Sequence, residues 1–530
     1  MALLLQEDSA NRQIARSASH VMVALLLANI ANLASLILNA VTFGTSADMD
    51  AFLAANRVSE TLFVLMAGGA LGSAFIPTLT GLLTKGERSS AWKLSSAIGN
   101  LVLVVLTAAA VLAAIFARPL VHYVLAPGFA GDPAQETLTV NLLRIMLPSA
   151  VIFGISGLVM GILNSHQVFF IPALTPAMYR LGMIFGVLFL TPSMGIYGLA
   201  WGVVLGSCLH LLLQVPSLLK LKGSYFAGFG LKMPEVKHVG VLMLPRVFGV
   251  AVVQLNFWVN TRLASYMVEG SVTGINWGFT MMLLPQAIIA QAVATAALPT
   301  LSAQFSMGKL DDLRGSLAAS MRGILLLAIP ASVGLILLRQ PIVALMLQYG
   351  KFTEASTQLI SWALLWFSVG LVGHCLVEIL ARSFYAMHNT KTPVFVGIVA
   401  MGLNVVFSIT FSAWFARIGW MPLGGLALAN SLATGLEATG LLVLMRRRLN
   451  GINGRKILTG TAQAVSAALL MGVAVWSWLN LTSGQPTWLV GLGGVLIGSL
   501  TYALVILLLR VPEMLSLISL LRRRLGLAYK

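Results

Sequence analysis

Fourteen apolar runs of about 20 residues divide this chain, and that is the length a helix needs to cross a bilayer. They lie at 20–42, 54–80, 94–117, 138–163, 169–191, 195–219, 238–262, 272–298, 318–338, 357–384, 393–415, 421–445, 457–480 and 486–510. A bilayer core offers no water to backbone N–H and C=O groups, so only helices and closed barrels can span it. The runs lack the period-two alternation of a membrane strand. The expected fold class is an all-α integral membrane protein with about 14 transmembrane helices. Composition agrees, since 9% of residues are charged against about 25% in a soluble domain.

Two stretches repeat each other at an offset of 222 residues: Ile76-Pro77-Thr78-Leu79 followed by Gly86, and Leu298-Pro299-Thr300-Leu301 followed by Gly308. Leu120–Phe129 is echoed by Ile342–Phe352, and Pro172 by Pro393. Such a period exceeds any solenoid unit and fits a duplicated transport bundle. Each copy holds six spans, so duplication preserves orientation and parallel repeats are expected. The predicted organisation is an interfacial N-terminus at 1–19, a six-helix lobe at 20–223 and a cytoplasmic linker at 224–237. A second six-helix lobe at 238–449, an additional helix pair at 457–510 and a basic cytoplasmic tail at 511–530 complete it. Glu7 and Asp8 interrupt the start, and no small-residue cleavage site follows a short apolar core, so no cleavable signal is expected.

A net charge of +17 would suit a nucleic-acid partner, but its placement argues otherwise. Most Lys and Arg fall at the termini and in links after even-numbered spans, such as Lys220, Lys222, Lys232, Lys237, Arg446, Arg447, Arg448, Arg455 and Lys456. Links after odd-numbered spans hold only Arg118, Arg339, Lys351 and Arg417. This positive-inside asymmetry places both termini in the cytoplasm, with the basic loops against anionic headgroups. Cys208 and Cys375 lie within spans, so neither a disulfide framework nor a metal cluster is expected.

Ionisable side chains in the bilayer core cost about 2.5–3.5 kcal/mol each by insertion scales, so each needs a reason. Asn29, Asn32 and Ser35 form one stripe of the first span, which either lines a wet cavity or hydrogen-bonds to another helix. Asp50 and Arg57 bracket the start of the second span, and Glu60, one turn beyond Arg57, is placed for a local ion pair. Arg246 and Arg262 sit near the ends of the seventh span, where snorkelling is open to both. Arg180, midway along the fifth span, points to an inward role. His374, Glu378 and Arg382 share one face of the tenth span, either as a proton or anion relay or as a self-neutralising pair, and the twelfth adds Glu437. Guanidinium groups facing one space would suit a diphosphate, which they bind bidentately. The chain carries no P-loop, HExxH pair or triad signature, and no segment long enough for an ATPase domain. Transport, not catalysis, is expected, with no cofactor. Energy would come from a coupling ion (H+ or Na+), the membrane potential or a separate partner.

The chain resembles the MurJ (MviN) family of lipid II flippases, within the superfamily of multidrug and polysaccharide exporters. The resemblance rests on Phe43-Gly44 with Asp50-Ala51-Phe52, Gly69-Ala70 with Ala74-Phe75-Ile76-Pro77, Ala126-Pro127-Gly128-Phe129, Ile162-Leu163-Asn164 and Ile171-Pro172-Ala173. In the second half it rests on Gly270-Ser271-Val272, Leu298-Pro299-Thr300-Leu301-Ser302, Gln348-Tyr349-Gly350-Lys351-Phe352-Thr353, and Phe384-Tyr385-Ala386 with Thr390-Lys391-Thr392-Pro393. It implies two six-helix lobes, and a tail groove from the last two helices. It also implies an undecaprenyl-diphosphate-linked substrate moved to the outer leaflet of the bacterial inner membrane. Membrane lipids and envelope-synthesis proteins are the implied partners.

Several charged positions of the family are absent. Its first-helix Arg, Gly and Arg-Asp pair fall on Asn29, Asn32 and Ser35-Leu36; its second-helix Arg falls on Phe63 or Val64 and Glu on Gly68; its eighth-helix Asp-Arg pair falls on Phe279-Thr280 and Glu on Leu283. Asp50, Arg57, Glu378 and Arg382 fit the family pattern. The residues expected to meet substrate are Asn29, Asn32, Asp50, Arg57, Arg180, Arg246, Arg262, Glu378 and Arg382. Three readings follow: a lipid-linked precursor flippase working by alternating access, a cation-coupled exporter of a smaller amphipathic solute, and a transport-inactive scaffold for envelope-synthesis enzymes.

Overall fold

The computed structural model describes residues 2–65 and 74–511 and, within them, every side chain except those of 2–21, Pro245 and Arg246. Among the described residues the chain is helical, without strands. Its principal helices are α1 (Ala2–Phe43), α2 (Ala47–Phe63), α3 (Ile76–Thr84), α4 (Arg88–Ile115), α5 (Pro133–Ser165), α6 (Phe170–Phe185), α7 (Ile196–Leu212) and α8 (Pro234–Ser265). They continue as α9 (Ser271–Gln286), α10 (Ala292–Ser306), α11 (Leu310–Leu347), α12 (Glu354–Ala386), α13 (Lys391–Arg417), α14 (Leu423–Arg448), α15 (Gly454–Leu481) and α16 (Thr487–Leu508). Among the described residues thirteen stretches are long and apolar enough to cross a membrane, and they coincide with all the expected spans but the second. That span runs through residues 66–73, outside the described residues, as do 512–530 of the basic tail.

Two compact units divide the chain. Unit 1 holds Met1–Val272 and Tyr349–Phe352, and unit 2 holds Thr273–Gln348 and Thr353–Lys530. In unit 1, α1 packs on α6, α2 and α4 on α5, and α6 on α7. The α6–α7 contact depends on small residues: a Cβ at Gly182 would collide with the backbone of Gly206, and one at Gly186 with that of Gly198 and Gly202. Lipid tails are as apolar as Leu, so close backbone approach is what holds such helices together. Helix α8, which follows the linker at 224–237, packs against α2, α4 and the segment 120–131. The compact unit therefore closes at Val272 and not in the linker.

The 222-residue repeat reappears inside unit 1 as reciprocal capping. Ala47 N–H donates to Glu269 Oε1 at 2.8 Å, and these two residues are themselves 222 apart. Gly270 N–H donates in return to Asp50 Oδ2 at 2.8 Å. Each carboxylate thus satisfies a backbone donor at the start of the other's helix, where four N–H groups lack intrahelical partners and the dipole favours negative charge. The loops beside this pair follow the same rule. Lys351 N–H donates to Val41 O at 2.8 Å, and Gly128 N–H to Ser265 Oγ at 3.0 Å. Gly128 and its counterpart Gly350 press so closely on Ser265 and Val41, respectively, that a Cβ would strike a carbonyl oxygen.

In unit 2, α12 packs between α11 and α14, and α13 lies on α14. The pair α15–α16 docks on α11 through Leu326, Leu338, Ala467, Ala468, Met471 and Ile506. Tyr502 OH pins it by donating to Leu326 O at 2.6 Å. The opposite side of α16 exposes Leu492, Leu496, Leu500, Leu504 and Leu508 at helical spacing, an outward face suited to lipid.

Asp50 is 2% exposed, so Asp50→Ala strips a buried cap and leaves Gly270 N–H unpaired. The expected loss is about 1–3 kcal/mol, read as a lower unfolding midpoint in detergent; an unchanged midpoint would contradict the capping role.

Candidate functional site

Sparse charges in a bilayer-spanning chain need neighbours, and α2 and α6 bring several together. One face of α2 carries Asn56, Arg57 and Glu60. Arg57 is 8% exposed; its guanidinium donates to Glu60 Oε2 at 3.0 Å and lies 5.1 Å from the centre of the Phe257 ring. On α6, the Tyr179 hydroxyl lies near the Asn56 side chain and within reach of the charges of both Arg180 and Glu60. Arg180 lies over the Tyr179 ring at 5.2 Å and directs Nη1 at the Met183 sulfur, 3.5 Å away. A ring face and a thioether are weak partners for a group with five N–H donors. Among the described residues no carboxylate forms an ion pair with Arg180. Two guanidinium groups and one half-exposed carboxylate leave this group a net positive charge, which suits an anion.

Thr61 fastens α8 to the same helix. Its hydroxyl donates to Arg57 O at 2.7 Å and accepts from Trp258 Nε1 at 2.8 Å and from Gln254 Nε2 at 3.4 Å. Sequence reading passed over Thr61, Trp258 and Tyr179, because an apolar span gives Trp and Tyr no distinguishing pattern. The one available signal was the adjacency of Tyr179 to Arg180.

The remaining expected residues are dispersed. Asn29 is exposed, Asn32 half-buried and Ser35 buried, so their stripe runs from open surface into the interior. Asp50 is occupied by the Gly270 amide. Arg262 donates to the Tyr123 carbonyl, at the end of α8 that meets the 120–131 segment. The Arg246 side chain lies outside the described residues, as does Gly68. In unit 2, Arg382 pairs with Glu378 at 2.5 Å, each side chain 25% exposed. Arg382 also donates to the Thr295 hydroxyl and to Gln291 O at 3.4 Å. That carbonyl ends the π-helical turn Ala287–Gln291, where the i→i+4 ladder is interrupted and an outside donor is useful. His374 turns to α14, with Nε2 at 3.0 Å from Asn430 Oδ1 and 3.4 Å from Thr434 Oγ1. The face of α12 is therefore split between a histidine bound to α14 and a self-paired Glu378–Arg382.

Two of the positions where the resemblance leads one to expect charge are filled by aromatic packing. Phe63 packs on Phe153 with tilted rings 4.7 Å apart, and Phe279 lies 5.2 Å from Phe367 and 5.9 Å from His374. A buried charge inserted there would displace a ring contact. No group of three or more His, Cys, Asp or Glu side chains is placed to hold a metal ion among the described residues.

Comparison with known proteins adds the following. A family model described as lipid II flippase MurJ matches residues 39–495. The lipid II flippase MurJ of Burkholderia cenocepacia is 32% identical over 464 residues, covering 86% of this chain and 88% of that protein. The probable lipid II flippase MurJ of Vibrio cholerae is 30% identical over 511 residues, 92% and 95% of the two chains. Among solved structures, lipid II flippase MurJ in an inward closed conformation superposes with a TM-score of 0.78 at 25% identity, covering 95% of this chain and 99% of that one. An inward-facing multidrug resistance MATE family transporter gives 0.66 at 17% identity over 82% and 98%, which is a likeness of fold.

Thr61→Val removes the shared acceptor and leaves Trp258 and Gln254 without it. The expected cost is about 1–3 kcal/mol, measured as a lower thermal midpoint together with faster proteolysis near α2 and α8. Wild-type behaviour on both counts would show that the hydroxyl does not hold the two helices.

Proposed function

The chain belongs to the lipid II flippase MurJ family, and we infer from that membership that it carries a lipid-linked peptidoglycan precursor across the bacterial inner membrane. The observation behind this reading is the family match over residues 39–495, supported by relatives of nearly the same length. The substrate class is an undecaprenyl-diphosphate-linked saccharide, taken from the cytoplasmic leaflet and released to the outer one by alternating access. The excess of Lys and Arg at both ends and after even-numbered spans supports cytoplasmic termini. The chain acts as a transporter and catalyses no covalent step.

In this reading Arg57 and Arg180 meet the diphosphate, because guanidinium forks match phosphate oxygens and Arg180 has no competing carboxylate partner. Asn29 and Asn32 offer neutral hydrogen bonds along the open part of α1, and Arg246 and Arg262 extend the positive field along α8. Asp50 acts indirectly, by fixing the start of α9. Glu378 and Arg382 balance each other beside the π turn, and Glu437, half-buried with no ion pair among the described residues, is the carboxylate open to a coupling H+ or Na+. The membrane potential is the alternative drive, since one charge crossing 100 mV gains about 2.3 kcal/mol. Membrane lipids and envelope-synthesis proteins are the proposed neighbours.

Reconstituted vesicles carrying a fluorescent lipid-linked precursor test this directly. Wild-type protein is expected to expose the label at the far leaflet faster than protein-free vesicles. Arg57→Gln/Arg180→Gln is expected to lose about tenfold in rate, equivalent to about 1.4 kcal/mol, and Arg180→Gln alone, which breaks no ion pair among the described residues, is expected to slow transport with an unchanged unfolding midpoint. Wild-type vesicles no faster than empty ones would overturn the function, and an unimpaired double variant would overturn the role of the two arginines.

A further inference from the structure

Within unit 1, α4 and α5 leave a space between them that no residue assigned to the precursor touches. The cavity measures about 480 Å³ and is closed at one end by the chain at 218–225, which follows α7. Its walls are apolar, with Leu103 of α4 and Ile155, Leu158 and Val159 of α5. Its mouth is polar, with Ser96 and Asn100 of α4 beside Lys222 and Tyr225. Small-molecule sites of about 300–1,000 Å³ share this plan, in which a few placed polar groups orient a ligand held by apolar walls.

The linker forms the rim of this mouth and is fastened there. Tyr225 OH donates to Asn100 Oδ1 at 2.8 Å, and Asn100 Nδ2 donates to Gly228 O at 2.8 Å. Phe226 N–H donates to Ser96 Oγ at 3.1 Å, and Lys93 lies over the Phe226 ring at 5.6 Å. Gly223 permits the close approach, since a Cβ there would fall 2.3 Å from the Trp92 ring. Lys222 adopts a left-handed φ of 50°, a conformation uncommon outside glycine, and the turn brings it to the mouth. Among the described residues of the lining it is the charged one.

Depth decides what such a cavity can hold. Trp92 and Leu103 mark its ends on α4, and eleven residues of helix rise about 16 Å. That is about half of a ~30 Å hydrocarbon core, the depth of one leaflet. The deep end opens sideways: Leu103 is exposed, and Val104 and Val105 continue an outward apolar surface. A slot one leaflet deep, entered from the lipid side and topped by a lysine, matches an acyl chain with an anionic head better than a compact solute or a free ion. We propose that this cavity holds one acyl chain of an anionic phospholipid, drawn from the leaflet on the basic side of the protein. The headgroup phosphate meets Lys222 beneath the linker, and the chain runs between α4 and α5 to Leu103 and Ile155. The site is independent of which solute the protein carries.

The test is photo-crosslinking of the full-length protein in phosphatidylcholine vesicles that contain phosphatidylglycerol with a diazirine in its acyl chain, the adducts being mapped by mass spectrometry. Label is expected at 99–103 and 155–159, displaced by unlabelled phosphatidylglycerol but not by added phosphatidylcholine or dodecanoate. Val159→Trp fills the slot and is expected to remove this label while sparing that at Leu112 and Ile115, which are exposed on the same helix. Lys222→Gln is expected to lower the preference for phosphatidylglycerol over phosphatidylcholine about fivefold, the worth of about one basic residue at an anionic surface. Label no stronger in the slot than at Leu112 and Ile115 would reduce the effect to surrounding lipid and overturn the proposal. Slot label that survives Val159→Trp, or displacement by phosphatidylcholine or dodecanoate as effective as by phosphatidylglycerol, would overturn it as well. Should Val159→Trp lower the unfolding midpoint, Lys222→Gln at its exposed position decides, and an unchanged preference sinks the proposal.

Discussion

Backbone hydrogen bonding in a solvent that offers none governs this molecule. Each N–H or C=O left unpaired in the hydrocarbon costs several kcal/mol, so the chain is helical wherever it crosses. Its irregular points are those where another group supplies the missing partner. The ends of α2 and α9 show the principle most clearly. Asp50 and Glu269 exchange caps across a 222-residue offset, and the loops at 128 and 350 press glycine backbone against carbonyls of α8 and α1. The π turn at 287–291 shows it again, with Arg382 supplying a donor to the carbonyl that ends the turn.

Once the backbone is satisfied, helices associate by fit. Apolar side chains gain little by leaving lipid for protein, so contact surfaces are made of Gly, Ala and Ser. The α6–α7 seam of Gly182, Gly186, Gly202 and Gly206 is one case. Gly370 against Ser431 in α12–α14 is another. Many leucines and tryptophans also face outward, such as Leu496 and Trp476. The α15–α16 pair follows both rules, docking on α11 by Ala467, Ala468 and Tyr502 while its leucines face out.

Charge is used sparingly and in recognisable settings. Arg57 is shared between Glu60 and an aromatic face, and Arg382 between Glu378 and a backbone carbonyl. Arg180 meets the Tyr179 ring and the Met183 thioether, with no ion pair among the described residues. Phe63 and Phe279, where the family resemblance implies charge, have become parts of aromatic clusters. The guanidinium groups of Arg57 and Arg180 are thus each set against an aromatic ring.

The amino-acid sequence by itself determined the thirteen spans found among the described residues, their helical state and the duplication. All three follow from local rules: run length against bilayer thickness, the absence of period two, and a constant offset between matching segments. It also determined which ionisable residues would lie among apolar ones, and that Arg57 and Glu60 stand one turn apart. Only the tertiary structure decided what each of those residues meets. Asp50 is spent on the amide of Gly270, 220 residues away. His374 turns to Asn430 and not to Glu378, although all three sequence candidates share one helix face. Tyr179 and Thr61 matter through neighbours on other helices. The reason is physical: periodicity fixes the face a side chain presents, but its partner depends on how the helices pack, and in lipid that packing is set by many small, close contacts that leave no pattern along the chain.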